Sequence, residues 1–180
     1  MTHDELNCPD RFVKMNYQLI IFDADGTLRY CTVQGQPCPN RSGEWKLYPD
    51  VVKTLERFKW MHPGEKSGVG YGIASNQGGV DAGYFSESTA MALLKDTFRE
   101  AFGFDPAGGT VEMCTHVPHE DSDCRKPEPA MLNRIMRLYK VSPDRVLFVG
   151  DRDADRLTAL NAGCDFQWAG DFFNRSAETY

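Results

Sequence analysis

The chain has 180 residues, 41% hydrophobic and 26% charged, which is ordinary for a globular domain and enough to bury a core without disulfides or structural metals. Lys and Arg number 20 against 26 Asp and Glu, a formal net charge of −6 with no contiguous basic run, which disfavours nucleic acid as a partner without excluding a local basic cleft. No run of about 18 apolar residues could span a bilayer and the N-terminal stretch lacks a signal-peptide core, so the expectation is a cytoplasmic protein with no membrane contact.

Taken in chain order, residues 1–16 read as an N-terminal extension to a single domain spanning 1–180. The run "YQLIIF" (17–22) is apolar and β-rich and predicts a strand buried on both faces. It ends in "DADGT", Asp23 to Thr27, followed by a linker over 28–48 rich in Gly, Pro, Cys and Asn. The pattern of "PDVVKTLERFKW" (49–60) predicts a helix, and "MHPGEKSG" (61–68) a second linker. That linker follows a helix and opens a strand, the reverse of a phosphate-binding P-loop, so its Gly-Glu-Lys-Ser is given no such role.

A second strand over 69–74 ends in "SNQGG", and a helix over 86–102 follows with Ser86 as its N-cap. Strands over 110–114 and 145–150, helices over 128–140 and 153–163, and a short strand over 164–169 complete the pattern, leaving 170–180 as a tail. Gly163 is placed where a helix commonly stops. Alternating strands and helices predict an α/β fold with a doubly wound, mostly parallel sheet, whose ligands sit beyond the carboxyl ends of the strands.

Reactive residue types collect at those ends. Asp23 and Asp25 flank a turn that Gly26 makes possible, so that one carboxylate can attack an electrophile while the other handles a proton. Taken alone, the pair reads equally well as a polar turn. Ser75, Asn76 and Gln77 offer hydroxyl and amide donors for phosphoryl oxygens. Asp151 and Asp155 supply oxygen ligands suited to a hard cation such as Mg²⁺, and Lys126 supplies a charge for a transferring phosphoryl group. Their joint occurrence at successive strand ends is what raises the catalytic reading over the bland one.

The segments "IFDADGTL", "IASNQ", "RKPEP" and "FVGDRDAD" resemble the four motifs of the haloacid dehalogenase-like (HAD) superfamily of phosphohydrolases, over roughly residues 17–165. The resemblance implies that Asp23 is a nucleophile forming an aspartyl-phosphate and that Asp25 protonates the leaving group and then activates water. It also implies that Ser75 binds the phosphoryl group, and that Lys126 orients and screens the nucleophile. Thr27, Asn76 and Arg125 are carried over as substrate-binding residues. Mg²⁺ would be held by Asp23, the backbone carbonyl of Asp25 and Asp151, with Asp155 a ligand or a support. Neither 28–48 nor 78–109 is long enough for a large cap domain, so an open site is expected.

"SNQGGVDAGYFSES" and the C-x-H … C-R-K-P arrangement are similar to the capless group of heptose 1,7-bisphosphate and histidinol-phosphate phosphatases. That group implies a small phosphorylated substrate and a Zn²⁺ loop of Cys114, His116 and a C-x-C pair. Here the pair reads Ser122, Asp123, Cys124, so Cys114, His116 and Cys124 remain, with His119 or Asp123 as a fourth ligand. The same residues also read as a metal-free loop of thiols. Disulfides are not expected, Cys31 and Cys38 are taken as structural or incidental, and a monomer or weak homodimer is anticipated. "EWKLYP" is also similar to polynucleotide 3′-phosphatases, a rival enzymatic reading, and an inactive HAD-like binding domain is the non-enzymatic one.

Overall fold

The computed structural model describes residues 17–118 and 120–175. Strand β1 (Leu19–Phe22) leads into a two-stranded antiparallel hairpin, β2 (Arg29–Cys31) and β3 (Trp45–Leu47), then a short helix α1 (Val51–Leu55). There follow β4 (Gly70–Asn76), α2 (Glu87–Phe102), β5 (Val111–Cys114), α3 (Ala130–Tyr139), β6 (Val146–Gly150), α4 (Asp153–Ala162), β7 (Asp165–Trp168) and α5 (Ala169–Phe173). The main sheet is parallel with strand order β5-β4-β1-β6-β7. It is the expected doubly wound architecture, with no large cap among the described residues.

β1 shows why the sheet forms. All four of its residues are buried, and alternation sends Ile20 and Phe22 to one face and Leu19 and Ile21 to the other. The first face packs on α2 and α5 through an aromatic cluster in which Phe22 meets Trp60, Phe102 and Phe172, with centroids 5.4 to 6.3 Å apart. The second packs aliphatic and sulphur side chains of α3 and α4, among them Met131, Leu132, Ile135 and Ala159.

Ser86 caps α2 by accepting from the Thr89 N–H, and Gly103 and Gly163 close α2 and α4 in the left-handed conformation. Three expectations are corrected. The helix over 49–60 stops at Leu55, because Phe58 and Trp60 stack on each other 5.0 Å apart and the Trp60 indole N–H caps the Leu55 carbonyl at 3.0 Å. The linker over 28–48 holds the β2–β3 hairpin.

The third correction concerns residues 170–175, which were assigned to a tail. Phe172 and Phe173 are buried in the core, and the buried Arg175 side chain binds Asp50 at 2.9 Å, the carbonyl of Gly26 at 3.2 Å and the carbonyl of Thr27. Its guanidinium also lies 3.9 Å from the Tyr48 ring centroid. The proposed N-terminal extension lies outside the described residues. Among the described residues no helix is long and apolar enough to cross a membrane.

Candidate active site

β1 is central, with β4 on one side and β6 on the other, so the residues that end these strands meet at one point. The loop after β1 turns through Gly26 at φ +84°, and a Cβ there would fall 2.2 Å from Asp151 Oδ2, so only glycine lets the loops after β1 and β6 approach. Gly150 works in the same way, since its Cβ would lie 2.6 Å from Asp155 Oδ2.

Asp23 and Lys126 are both buried, and Lys126 Nζ donates to Asp23 Oδ1 at 2.6 Å, to Asp155 Oδ1 at 2.6 Å and to the Ala74 carbonyl at 3.2 Å. The three protons of the ammonium are thereby used. Asp155 is equally committed. Its Oδ2 accepts from the backbone N–H groups of Asp151 (3.2 Å) and Arg152 (3.0 Å), closing the first turn of α4. It forms a strut between the lysine and the helix start.

The charge balance of this centre is uneven. Carboxylate oxygens of Asp23, Asp151 and Asp155 lie within 4.8 Å of one another, against one lysine. Burial, with Asp155 and Asp151 adding to it against the pull of Lys126, pushes Asp23 well above the usual carboxylate range. Burial and then Asp155 push Asp151 up as well. Burial alone would lower Lys126, but Asp23 and Asp155 hold its ammonium above the ordinary lysine value. Hard oxygen donors with surplus negative charge fit a divalent cation such as Mg²⁺, with Asp23 and Asp151 as its side-chain ligands.

Asp25 sits to one side of this cluster, with its carboxylate 14% exposed and bridging β2 and the end of β4. Arg29 Nε donates to Oδ1 at 2.7 Å and Nη2 to Oδ2 at 3.3 Å, and Gln77 Nε2 donates to Oδ2 at 2.9 Å and to Ser75 Oγ at 2.8 Å. An open cleft of about 560 Å³ lies over these groups, lined by Asp23, Asp25, Ser75, Asn76, Arg125, Lys126 and Asp155 among others.

Two residues expected to touch substrate are turned elsewhere. Thr27 is fully buried and donates to Asp151 Oδ1 at 3.4 Å. Asn76, although at the cleft wall, holds the Lys126 backbone at both ends, its Oδ1 accepting from the N–H at 3.0 Å and its Nδ2 donating to the carbonyl at 3.4 Å. Arg125 keeps its place on the cleft, its Nη1 donating to the His116 carbonyl at 2.6 Å. Burial and then the nearby Arg152 guanidinium lower its pKa from the ordinary arginine value, so two cations share one rim.

The cysteine loop assembles as a donor set. His116 Nδ1 lies 3.3 Å from Cys114 Sγ, 3.4 Å from Cys124 Sγ and 3.2 Å from Ser122 Oγ, and Ser122 Oγ is 3.5 and 3.4 Å from the two sulphurs. Cys114, His116 and Cys124 are of the type and spacing that hold zinc, and the hydroxyl of Ser122 stands at the fourth corner. Asp123 is exposed and takes no part, and His119 lies outside the described residues. Contrary to the expectation of thiols or thiolates, Cys114 and Cys124 are joined as a disulfide, the oxidised alternative to sharing a metal.

Sequence reasoning overlooked Arg29, Arg152, Arg175 and Cys38. Cys38, read from sequence as structural or incidental, lines the cleft, where burial and then Asp25 push its thiol up to about 11. The one available signal was an arginine inside the otherwise apolar-flanked "GTLRYC", where a strand residue needs a buried partner.

Comparison with known proteins agrees with this geometry. Residues 123–168 match a family model described as HAD-hydrolase-like. The chain is similar to the D-glycero-beta-D-manno-heptose-1,7-bisphosphate 7-phosphatase of Pseudomonas putida, 32% identical over 149 residues, covering 81% of this chain and 78% of that protein. The chain belongs to the HAD-like phosphatases. It is a phosphoric monoester hydrolase. The enzyme of the same name from Bordetella bronchiseptica is 31% identical over 147 residues, covering 82% of this chain and 77% of that one. A crystal structure of D,D-heptose 1,7-bisphosphate phosphatase from B. bronchiseptica, complexed with magnesium and phosphate, superposes on this HAD-like phosphatase with a TM-score of 0.63, 28% identity, and coverage of 83% of this chain and 78% of that chain.

Proposed function

We propose that this phosphatase is a magnesium-dependent phosphomonoesterase that works through an aspartyl-phosphate on Asp23 and acts on a small sugar bisphosphate such as heptose 1,7-bisphosphate. The observation that carries the reading is the convergence of Asp23, Asp25 and Asp151 from two strand ends, and of Lys126 from the loop before α3, beneath one open cleft. Lys126 engages Asp23 through Oδ1, so attack on phosphorus falls to Oδ2. As that oxygen bonds to phosphorus, the bond to the leaving oxygen breaks and Asp25 supplies its proton. Asp25 then takes a proton from water, whose oxygen attacks the phosphorus, releasing inorganic phosphate and restoring the Asp23 carboxylate. Bound at Asp23 and Asp151, Mg²⁺ would neutralise phosphoryl charge as a Lewis acid. Ser75 and the loop after β4 hold the transferring group.

The substrate class rests on the cleft rim. Arg125 and Arg152 present two guanidiniums to one opening, which suits a second phosphate on a compact molecule. Glu120, Asp121 and Glu128 line the same cleft and would repel an extended polyanion, which counts against the polynucleotide 3′-phosphatase reading. The names of the similar proteins support the same choice. The loop that carries Cys114, His116 and Cys124 serves as the scaffold that presents Arg125 and Lys126, stiffened by the disulfide or, when that bond is reduced, by a zinc ion held by Cys114, His116 and Cys124.

The decisive experiment compares kcat/KM for heptose 1,7-bisphosphate, histidinol phosphate and a 3′-phosphorylated oligonucleotide in the presence of magnesium. The heptose bisphosphate should lead by at least about tenfold, which corresponds to about 1.4 kcal/mol of transition-state discrimination. A lead for the oligonucleotide would overturn the substrate assignment while leaving the phosphatase chemistry intact.

A further inference from the structure

The side chain of Arg29 is fully buried, and each of its nitrogens has a partner. Two of them grip Asp25 across both carboxylate oxygens. The third, Nη1, donates to the Leu93 carbonyl at 3.1 Å and to Thr97 Oγ1 at 2.9 Å in α2. Thr97 is itself fixed by donating to that same carbonyl at 2.8 Å. The main chain repeats the connection, for Arg29 N–H donates to the Ala24 carbonyl at 3.0 Å and Gly26 N–H to the Arg29 carbonyl at 2.8 Å. Peptide and carboxylate at position 25 are therefore both tied to one residue, which is anchored in a helix on the far side of the hairpin.

A buried guanidinium is costly to desolvate, and an apolar pair of similar volume serves stability as well or better. What a fork adds is direction. Two parallel N–H donors fix the plane of a carboxylate, which a single contact leaves free to rotate. Gln77 donates to Oδ2 from the other side, so the plane is held from β2 and from the loop after β4 together.

We infer that Arg29 is a positioning residue that sets the orientation of Asp25 for proton transfer to the leaving oxygen. The inference rests on the reading of Asp25 as the proton donor and acceptor. A proton donor must sit within hydrogen-bond reach of the departing oxygen, and a shift of about 1 Å can lower a rate by roughly a hundredfold.

The test is a set of steady-state measurements on Arg29→Met, Arg29→Lys, Asp25→Asn and Asp25→Asn/Arg29→Met, each checked for folding by circular dichroism. Two substrates are used: a sugar phosphate, whose alkoxide must be protonated as it leaves, and 2,4-dinitrophenyl phosphate, whose leaving group departs without a proton. Arg29→Met should lower kcat/KM, which reports only the steps up to the aspartyl-phosphate and not the later water attack, by about a hundredfold on the sugar phosphate and by less than about tenfold on the dinitrophenyl ester. Arg29→Lys, which keeps the charge and loses the fork, should fall between wild type and Arg29→Met. The double variant should be no slower on the sugar phosphate than Asp25→Asn alone, because Arg29 acts through a group already removed.

Equal losses on both substrates, or losses that multiply in the double variant, would show a purely structural role and overturn the inference. Should Arg29→Met fail to fold, Arg29→Lys and Thr97→Val, which loosens the anchor without touching Asp25, carry the same substrate comparison. An Asp25→Asn variant with unchanged kcat on the sugar phosphate would overturn the role of Asp25 and this inference with it. Failure in the Arg29 variants alone leaves the role of Asp25 standing.

Discussion

Two polar clusters sit side by side at the carboxyl edge of the sheet, and they are closed by different rules. Around Lys126, hard groups are matched one to one: three donors meet three acceptors, and both oxygens of Asp155 are occupied. Around His116, soft donors face each other, with Ser122 standing among the two sulphurs and the imidazole. The first cluster is defined by charge, so a change of charge within it is felt in turnover and in stability. The second is defined by which atoms reach one centre, where the two sulphurs are joined to each other.

The largest effect should come from breaking the first cluster at Asp23, the proposed nucleophile. Asp23→Asn should abolish turnover of any phosphomonoester, a loss of more than about 10⁴-fold in kcat, while the protein stays folded. The stability consequence runs the other way. A carboxylate raised in the folded state binds more protons folded than unfolded, so its contribution to stability falls as pH rises from the unfolded value, about 3.9, through its raised folded value. In magnesium-free buffer, the melting temperature of Asp23→Asn should accordingly exceed that of wild type by a margin that grows with pH across this window. A wild type that gains on the variant as pH rises would contradict the assigned direction.

Next in size is Lys126→Met, which leaves three carboxylates without their cation. Removing one partner of such a buried pair costs about 3–5 kcal/mol, or roughly 10 °C in melting temperature for a chain of this length, and activity should fall by at least about a hundredfold. Thermal scans and initial rates measure both, and a variant that melts with wild type would show that the lysine is not the counter-charge described. A smaller change is expected from Arg125→Gln at the rim. KM for a bisphosphate should rise by about tenfold, while KM for a monophosphate of the same sugar moves by less than about threefold.

The smallest effect on turnover, and the sharpest on the comparison, should come from Ser122→Cys. Once the Cys114–Cys124 disulfide is reduced, a third thiolate would raise zinc occupancy after purification under reducing conditions without chelator, read by elemental analysis, toward one equivalent, with kcat within about twofold of wild type. An unchanged zinc content in this variant would mean that the fourth corner is not at residue 122.

The legibility of the sequence follows the same division. Asp23, Asp25 and Asp151 could be placed because they follow closely on apolar runs, and Lys126 because it stands in "RKPEP" just before a helix. The sheet was legible for a related reason, since strands buried on both faces leave near-continuous apolar runs. Arg29 and Arg175 escaped because their meaning lies in partners 64 to 149 residues away, Leu93 and Thr97 for one, Gly26 and Thr27 for the other. Phe58 and Trp60 misled for the opposite reason: as apolar residues they prolong the run of "VVKTLERFKW" past Leu55, but their rings are used in the aromatic cluster beneath β1. Ser122 shows a further limit, because sequence alone registers a missing thiolate without showing that the hydroxyl takes up its place.

The guanidinium of Arg175 has a bearing on when activity arises. It grips the carbonyls of Gly26 and Thr27, within the turn that follows Asp25, from a point some 150 residues later in the chain. During synthesis the nucleophile's strand emerges early, but the turn beside it is locked only after residue 175 has left the ribosome and α5 has docked. A chain cut before residue 175 therefore carries both aspartates without the clasp that shapes their loop.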